Sequence, residues 1–285
     1  METNQSPPAG DMIEGWRETA QYWTKYSNTI AKMFAPLTEA MIERARIREG
    51  QSVLDVAGGA GEPSLTIAER VGPSGSVMCT DAVAEMVDAA RQEAKRRGLK
   101  NMQFRQCTAD SLPFADNSFD VVVSRLGVMF FRDSIGSMRE MLRVVRPGGA
   151  LTFAVWGKSD INPFCYLVSG VMDQHVKAAE ADPNAPNAFR FAEIGKLAGV
   201  MKEAGAIDVR DEVVSIDIEA PLSALEFWNM RSQTSDTLRE KLAKLSTNEQ
   251  AQIGEEVQQA VKEFFPGNQM KFPAQMLIAT GRKQD

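Results

Sequence analysis

The stretch Val53-Leu54-Asp55-Val56-Ala57-Gly58-Gly59-Ala60-Gly61-Glu62-Pro63-Ser64 decides how the chain is read. It starts as a short apolar run whose only charge is Asp55, passes three glycines, and enters Leu65-Thr66-Ile67-Ala68-Glu69, which reads as a helix. Strand, glycine turn and helix in that order open a βαβ unit. The glycines permit a sharp turn and the close approach of a ligand. The new helix offers unpaired N–H groups and the positive end of its dipole. A nucleotide fold, a cofactor fold and a purely structural turn all share such a stretch. Its spacing argues against a dinucleotide site, because Gly59-Ala60-Gly61 is followed by Glu62-Pro63-Ser64 with no third glycine. Asp55 is expected to accept hydrogen bonds from the turn's own N–H groups and so to brace it.

The 285 residues suffice for one large domain or a domain with a generous insertion, and 44% apolar residues suffice for a core. No apolar run approaches the roughly 18 residues of a membrane span. Residues 1–10 are polar, acidic and Pro-rich; they are expected to be disordered and lack the basic start and apolar stretch of a signal peptide. A net charge of −6 disfavours a nucleic-acid partner, since phosphate binding wants a basic face. The local clusters Arg96-Arg97 and Arg44, Arg46, Arg48 stand beside acids and read as solvated helix faces. Cys79, Cys107 and Cys165 show no C-x-x-C spacing, which disfavours metal and disulfide frameworks and makes a reducing, cytoplasmic compartment the default. With His175 as the one histidine, no multi-histidine zinc site can be built and no metal is expected. The oligomeric state is left open, a homodimer included.

Residues 16–47 read as helix broken at Pro36, the first piece carrying Trp16, Tyr22, Trp23 and Tyr26. That aromatic face either packs on the core or closes as a lid over a ligand at the glycine turn. A helix runs to about Val71, and a second strand over 76–80 ends at Asp81, 20 residues after Gly61. In nucleotide-binding βαβ units an acid at this place takes the hydroxyls of a ribose. A helix over 84–97 stopped by Gly98, strands over 102–107 and 119–124, a helix over 135–145 and a strand over 150–156 continue the alternation. The pattern implies a doubly wound, mostly parallel sheet with ligands at the carboxyl ends of its strands. Further on, helices are expected over 163–177 and 192–204, a linker over 181–188 and a long strand over 207–218. Helical pieces follow over 223–265 with breaks at Gly254 and Pro266, then a last strand over 272–280.

Leu54-Asp55-Val56-Ala57-Gly58-Gly59-Ala60-Gly61 resembles the first motif of class I S-adenosylmethionine-dependent methyltransferases. Further blocks stand in that family's order: Asp81, then Ala109-Asp110-Ser111-Leu112-Pro113-Phe114, then Ser118-Phe119-Asp120-Val121-Val122, then Leu142-Arg143-Val144-Val145-Arg146-Pro147-Gly148-Gly149. The likeness is strong over 45–157 and loose elsewhere. The Ala-Gly-Gly start is most similar to the ubiquinone/menaquinone biosynthesis C-methyltransferases. The resemblance implies an α/β Rossmann-like methyltransferase fold: a doubly wound, seven-stranded, mostly parallel sheet with helical lid insertions. Its antiparallel last strand would be inserted between the fifth and sixth. It divides the chain into a disordered N-terminus (1–10), an N-terminal helical lid (11–48), a cofactor-binding core (49–157) and a helical cover (158–190). A core helix and strand (191–218), a second helical cover (219–268) and the final strand (269–285) complete it.

The resemblance further implies where S-adenosylmethionine lies. The methionyl part sits over Ala57, Gly58, Gly59 and Gly61, with Ser64 at the helix start. Asp81 holds the ribose, Ala82 and Met86 lie near the adenine, and Ala109 meets the adenine edge through its backbone. Ser124, Arg125 and Leu126 line the sulfonium side, and Tyr22 and Tyr26 reach in from the lid. The family often has Gly where Ala57 stands and Asp or Asn where Thr108 stands, so the adenine amino group falls to Thr108 or to Asp110. Asn162-Pro163-Phe164 is similar to a motif of amide and base N-methyltransferases. Theirs follows the fourth strand, whereas this one follows the fifth and reads as a helix start.

The implied reaction is in-line displacement of the methyl group onto a small, largely apolar acceptor, by C- or O-methylation, leaving S-adenosylhomocysteine. Alignment and exclusion of water can supply most of the acceleration. A general base is optional and none is identified; His175, Tyr22, Tyr26 and Arg125 are the candidates. The cysteine count is also similar to that of arsenite methyltransferases, but Cys79 and Cys107 fall at strand positions and are expected to be buried. A nicotinamide-dependent oxidoreductase and a non-catalytic S-adenosylmethionine-binding protein are the alternatives.

Overall fold

The computed structural model describes residues 9–176 and 185–285. Among these, one sheet holds β1 (Ser52–Val56), β2 (Ser76–Asp81), β3 (Met102–Gln106), β4 (Phe119–Arg125), β5 (Val145–Trp156), β6 (Ile207–Ala220) and β7 (Met270–Arg282), in the order β3-β2-β1-β4-β5-β7-β6. The first five strands pair in parallel, and β7 runs antiparallel to both of its neighbours, β5 and β6. The strand order reverses between β1 and β4, so the carboxyl ends of these two strands frame the crevice where open α/β sheets take ligands. Val53 and Leu54 of β1 and Val121, Val122 and Val123 of β4 are fully buried. Such continuous apolar runs belong to parallel strands covered on both faces.

The helices are α1 (Ala9–Lys25), α2 (Ser27–Met33), α3 (Ala35–Ala45), α4 (Ser64–Val71), α5 (Ala84–Arg97), α6 (Ser134–Val144), α7 (Pro163–His175), α8 (Lys196–Ala204), α9 (Ala224–Thr234), α10 (Asp236–Leu242) and α11 (Thr247–Ala260). α1 packs on α5 and α9, while α7, α9 and α11 pack on one another. The latter group meets the sheet where Phe164 of α7 stacks on Trp156, the last residue of β5.

Several boundaries differ from the sequence expectations, each for a local reason. Ala9 and Gly10 already belong to α1, and residues 1–8 lie outside the described residues, as do 177–184 at the expected linker and helix end. The first helical region breaks at Tyr26 and Phe34; Pro36 sits in the first turn of α3, where its missing N–H has no partner to lose. α8 starts at Lys196 after Gly195, whose φ of 89° is closed to most side chains, so the helix does not reach back to 192. Gly254 does not break α11. It is the point of closest approach to α9, and a Cβ there would stand 2.8 Å from Trp228 Nε1. The breaks fall at Ser235 and Ser246 instead, whose hydroxyls accept the amides of Leu238 and Glu249 and so start the next helix.

The joint between β1 and α4 is made differently from the sequence reading. The turn's amides do not go to Asp55: Gly58 N–H donates to the Thr80 carbonyl at 2.8 Å and Gly59 N–H to Asp81 at 3.0 Å. Asp55 instead accepts the Ser64 hydroxyl at 2.6 Å through one oxygen, and its other oxygen is buried with no partner. Burial, the largest influence, pushes its pKa from 3.8 up to about 7. Further round the turn, Gly61 has φ 119°, and a Cβ there would stand 2.6 Å from Leu65 Cδ1 and 3.4 Å from the Ala90 backbone of α5.

Gly61→Ala is therefore expected to destabilise the protein by at least about 2 kcal/mol, since overpacking and backbone strain add. Chemical denaturation measures this, and an unchanged midpoint contradicts it. Asp55 gives a pH effect of fixed sign. The folded state keeps its proton up to about pH 7, whereas the unfolded chain loses it near 3.8. Folded protein thus binds more protons between these values, and stability falls as pH rises from about 4 to about 7, with no further slope above. Asp55→Asn, neutral throughout, should flatten that part of the stability–pH profile; parallel profiles for variant and wild type would speak against a buried, late-ionising Asp55.

Candidate active site

β1 ends in a left-handed turn. Ala57 has φ 59°, a conformation that costs an L-residue roughly 1–2 kcal/mol and that glycine adopts freely. This explains why glycine is common at that place in related motifs, and why alanine is tolerated at a cost. Gly58 is pinched: a Cβ would lie 2.8 Å from both Asp55 Oδ2 and Cys79 Sγ. Gly59, at φ 54°, is the opposite case, because a Cβ there would meet nothing within 4 Å. Its open side faces away from the protein's own atoms, while its N–H holds Asp81 Oδ2 at 3.0 Å. Asp81 Oδ1 accepts the Val83 amide, also at 3.0 Å. Burial raises the Asp81 pKa, against the opposing pull of the Val83, Gly59 and Ala82 amides.

The β4 end closes the other side. Leu126, φ 62°, donates its amide to the Ala154 carbonyl at 2.8 Å, and Gly127 presses on the first turn so closely that a Cβ would lie 2.7 Å from Ala57 Cβ and from Ser124 Oγ. Ser124 is fully buried and its hydroxyl has no partner. Arg125 turns away from the crevice centre. Its guanidinium donates to Thr38 Oγ1 at 2.7 Å and to the Glu62 carbonyl at 3.2 Å, tying α3 to the glycine turn. After β3, the Cys107 amide donates to the Asp81 carbonyl at 3.0 Å; Ala109 is half-buried, and Thr108 and Asp110 are exposed on either side of it.

α1 covers the turn, but not with the residues singled out from sequence. Ala20, Val83 and Met86 form a small buried cluster, against which Ile13, Trp16, Trp23 and Ala60 pack. Trp16 also meets Phe130, after β4, edge-on at 5.1 Å. The spacing 13, 16, 20, 23 is one helical stripe, and that periodicity was the available signal for it. Tyr22 and Tyr26 lie on another face: the Arg239 guanidinium sits 5.7 Å over the Tyr22 ring, and Tyr26 OH donates to Gln233 at 3.1 Å. The lid tyrosines are thus turned to α9 and α10, and tryptophans stand over the turn in their place. Trp23 Nε1 is buried there without an acceptor.

His175 is likewise placed elsewhere. α7 starts beside Trp156, and twelve residues of helix carry His175 roughly 18 Å along the axis from Pro163. There its Nε2 lies 2.6 Å from Glu256 of α11. Asn162 is also engaged structurally: its amide bonds the Gln275 backbone of β7 in both directions, at 2.8 and 3.2 Å. Cys79 and Cys165 are buried thiols, and among the described residues no group of three or more His, Cys, Asp or Glu could hold a metal ion. No helix among them is long and apolar enough to cross a membrane.

The arrangement brings together groups of several kinds. It has an open glycine, a fixed carboxylate, orphaned donors at Trp23 and Ser124, and an apolar wall of Met86, Val83 and Trp16. These residues fit S-adenosylmethionine, which has an adenine, a ribose diol and a charged methionyl end.

Comparison with known proteins agrees. The model of the ubiE/COQ5 methyltransferase family matches residues 30–172, half of the chain. The ubiquinone/menaquinone biosynthesis C-methyltransferase UbiE of Hahella chejuensis is 41% identical over 118 residues, 41% of this chain and 47% of the relative. An uncharacterized protein of Mycobacterium tuberculosis is 37% identical over 131 residues, 46% of each chain. The chain thus spans about half the length of these curated relatives. Among solved structures, phosphoethanolamine N-methyltransferase 2 of Haemonchus contortus, in complex with S-adenosyl-L-methionine, superposes with a TM-score of 0.59 over 96% of this chain and 60% of that one. At 18% identity this likeness shows the fold alone. The nicotinamide-dependent alternative finds no support in these comparisons. The motif order, the sheet and the family match lead to one statement: the chain belongs to the ubiE/COQ5 methyltransferase family.

Proposed function

We propose that the protein transfers a methyl group from S-adenosylmethionine to a small, largely apolar acceptor at the carboxyl ends of β4 and β5. The observation that carries this reading is the pairing of Gly59, open on its ligand side, with Asp81, held at Gly59 N–H by 3.0 Å. The bound sulfonium supplies an already activated methyl group. Asp81 would take the ribose hydroxyls, and its two backbone amides keep the carboxylate aimed. Trp16, Val83 and Met86 would enclose the adenine side, with Ala82 and Ala109 at its edge and Thr108 or Asp110 at its amino group. Ala57, Gly58, Gly59, Gly61 and the helix start at Ser64 would surround the methionyl end. Ser124 and Leu126 would face the sulfonium, with Arg125 positioning the turn through Thr38 and Glu62.

Among the described residues His175 and Tyr26 are engaged elsewhere and Arg125 serves as a brace, so none of these candidates is assigned as a base. The reading therefore rests on alignment and water exclusion, which suffice for displacement at an activated methyl. Quinone C-methylation, the activity named for the Hahella relative, is one form such a reaction can take. The acceptor side would be built by Phe34, Trp156 and Phe164, within the residues matched by the family model, together with Phe227 of α9 beyond them. The cover here is apolar and aromatic, which suits a small apolar acceptor and not a polynucleotide.

Two variants test the cradle. Asp81→Ala should weaken S-adenosylhomocysteine binding in calorimetry by about 1.5–3 kcal/mol, the scale of hydrogen bonds to a charged group; unchanged affinity refutes the ribose role. Gly59→Ala should abolish binding while lowering stability by only about 1–2 kcal/mol, the cost of a left-handed alanine. Alanine is the better probe than valine, whose branched side chain strains this φ further. Retained affinity would place the ligand elsewhere. Turnover is tested by label transfer from methyl-labelled S-adenosylmethionine into a metabolite extract.

A further inference from the structure

We propose that Arg231 anchors an anionic group on the methyl acceptor, so that the acceptor is an aromatic or otherwise apolar molecule carrying a carboxylate or comparably acidic group. The inference rests on the methyl-transfer reading above and names its substrate class.

Phe227 and Arg231 stand one turn apart on α9 and face the rings that roof the end of β5. The Arg231 guanidinium lies 4.7 Å from the centroid of Phe164. Phe164 stacks on Trp156 at 5.8 Å and meets Phe34 at 6.5 Å and Phe227 at 5.5 Å. Phe34 in turn has the Arg125 guanidinium at 5.8 Å. One contiguous row of buried rings thus runs from the Arg125 guanidinium, of the last residue of β4, to Arg231.

What sets Arg231 apart is that it has no acid partner among the described residues. Its Nε is buried with no hydrogen-bond partner. Among the described residues the ionisable group acting on it is the Cys165 thiol, which burial pushes up to about 11 and so keeps neutral at neutral pH. Other partly buried arginines of this chain are well paired: Arg97 with Glu62, Glu69 and Glu93, and Arg143 with Asp116 and Glu140. The chain has 38 acidic residues against 32 basic ones, so acids are not scarce. A guanidinium cannot escape desolvation by losing its proton, and a buried one is costly unless it meets a negative charge. Stacking on Phe164 occupies a face and leaves the in-plane donors for a ligand, which a carboxylate can take in pairs. The side chain as a whole is only half-buried, so those donors are reachable. Arg125 cannot serve in its place, because its donors already go to Thr38 and the Glu62 carbonyl. A neutral acceptor would leave the Arg231 charge uncompensated among aromatic rings, where low polarity makes an ion pair stronger.

The test uses the whole chain saturated with S-adenosylhomocysteine. Benzoate, phenylacetate and 2-naphthoate are titrated by calorimetry alongside their primary amides, which match them in shape without the charge. At least one acid should bind tenfold or more tightly than its amide, as a charge-assisted hydrogen bond allows. Arg231→Met should remove that preference while leaving the affinity for S-adenosylhomocysteine within twofold. The same variant should raise the melting temperature of the ligand-free protein, because methionine keeps the packing of the stem without the buried charge; an arginine retained for structure alone would give a fall. The proposal is overturned if no acid outbinds its amide, if the preference survives in Arg231→Met, or if that variant does not melt higher. Loss of S-adenosylhomocysteine binding in the wild type would sink the methyl-transfer reading itself, whereas intact binding without acid preference sinks only the anion anchor.

Discussion

The hydrogen bond from the Gly59 amide to the Asp81 carboxylate is the contact on which the rest of the site depends. It joins the loop after β1 to the end of β2, across strands that are already in register from Ser52 to Val56. For the amide to point that way, the chain must leave β1 through left-handed conformations at Ala57 and Gly59. It must also pass too close to Asp55, Cys79 and α5 for side chains at Gly58 and Gly61. Three glycines and one strained alanine are thus a geometric requirement of the joint. The same joint leaves one side of Gly59 bare. On the proposed function, a carboxylate held rigid beside a bare backbone would have its orientation fixed before any ligand arrives, which reduces the ordering that binding would otherwise require.

Two covers stand over the sheet edge, and they do different things. α1 lies over the glycine turn through Trp16 and Trp23 and is tied to the β2 and β4 ends by Val83, Met86 and Phe130. α7, α9 and α11 lie over β5 through Phe164 and Phe227. The family match ends within α7. Similarity to the family therefore covers the glycine turn, the strand ends and the rings of Phe34, Trp156 and Phe164, whereas α1, α9 and α11 lie outside it and have to be read from this chain's own residues. Within that cover Trp228 and Phe164 pack against different partners. Trp228 fills the gap that Gly254 leaves between α9 and α11, while Phe164 faces the strand end.

Much of this was legible in the sequence because the signals were local. α5 spans 84–97 and is stopped by Gly98 at φ 73°, as its glycine and apolar period require. Asp81 ends β2, and the last strand is inserted between the fifth and sixth, as the resemblance implied. What was misread depended on tertiary contact. Gly254 looks like a break by composition but is a site of close helix packing. Asp55 looks like a brace for the turn, yet the turn amides find Thr80 and Asp81 nearer, leaving Asp55 to Ser64. Tyr22 and Tyr26 drew attention by type, whereas the stripe from Ile13 to Trp23 identifies the covering face by period. Arg231 gives no signal in sequence at all, because an unpaired guanidinium is visible only once its neighbours are known.

The central claim, that the ligand lies over Gly59 beside Asp81, is tested most directly by backbone amide NMR during titration with S-adenosylhomocysteine. The account predicts saturable shifts of the Gly59 amide, with accompanying shifts at Ala57, Val83 and Ala109 and in the Trp23 side-chain N–H. A ligand that binds stoichiometrically while the Gly59 and Val83 amides stay unmoved would contradict it.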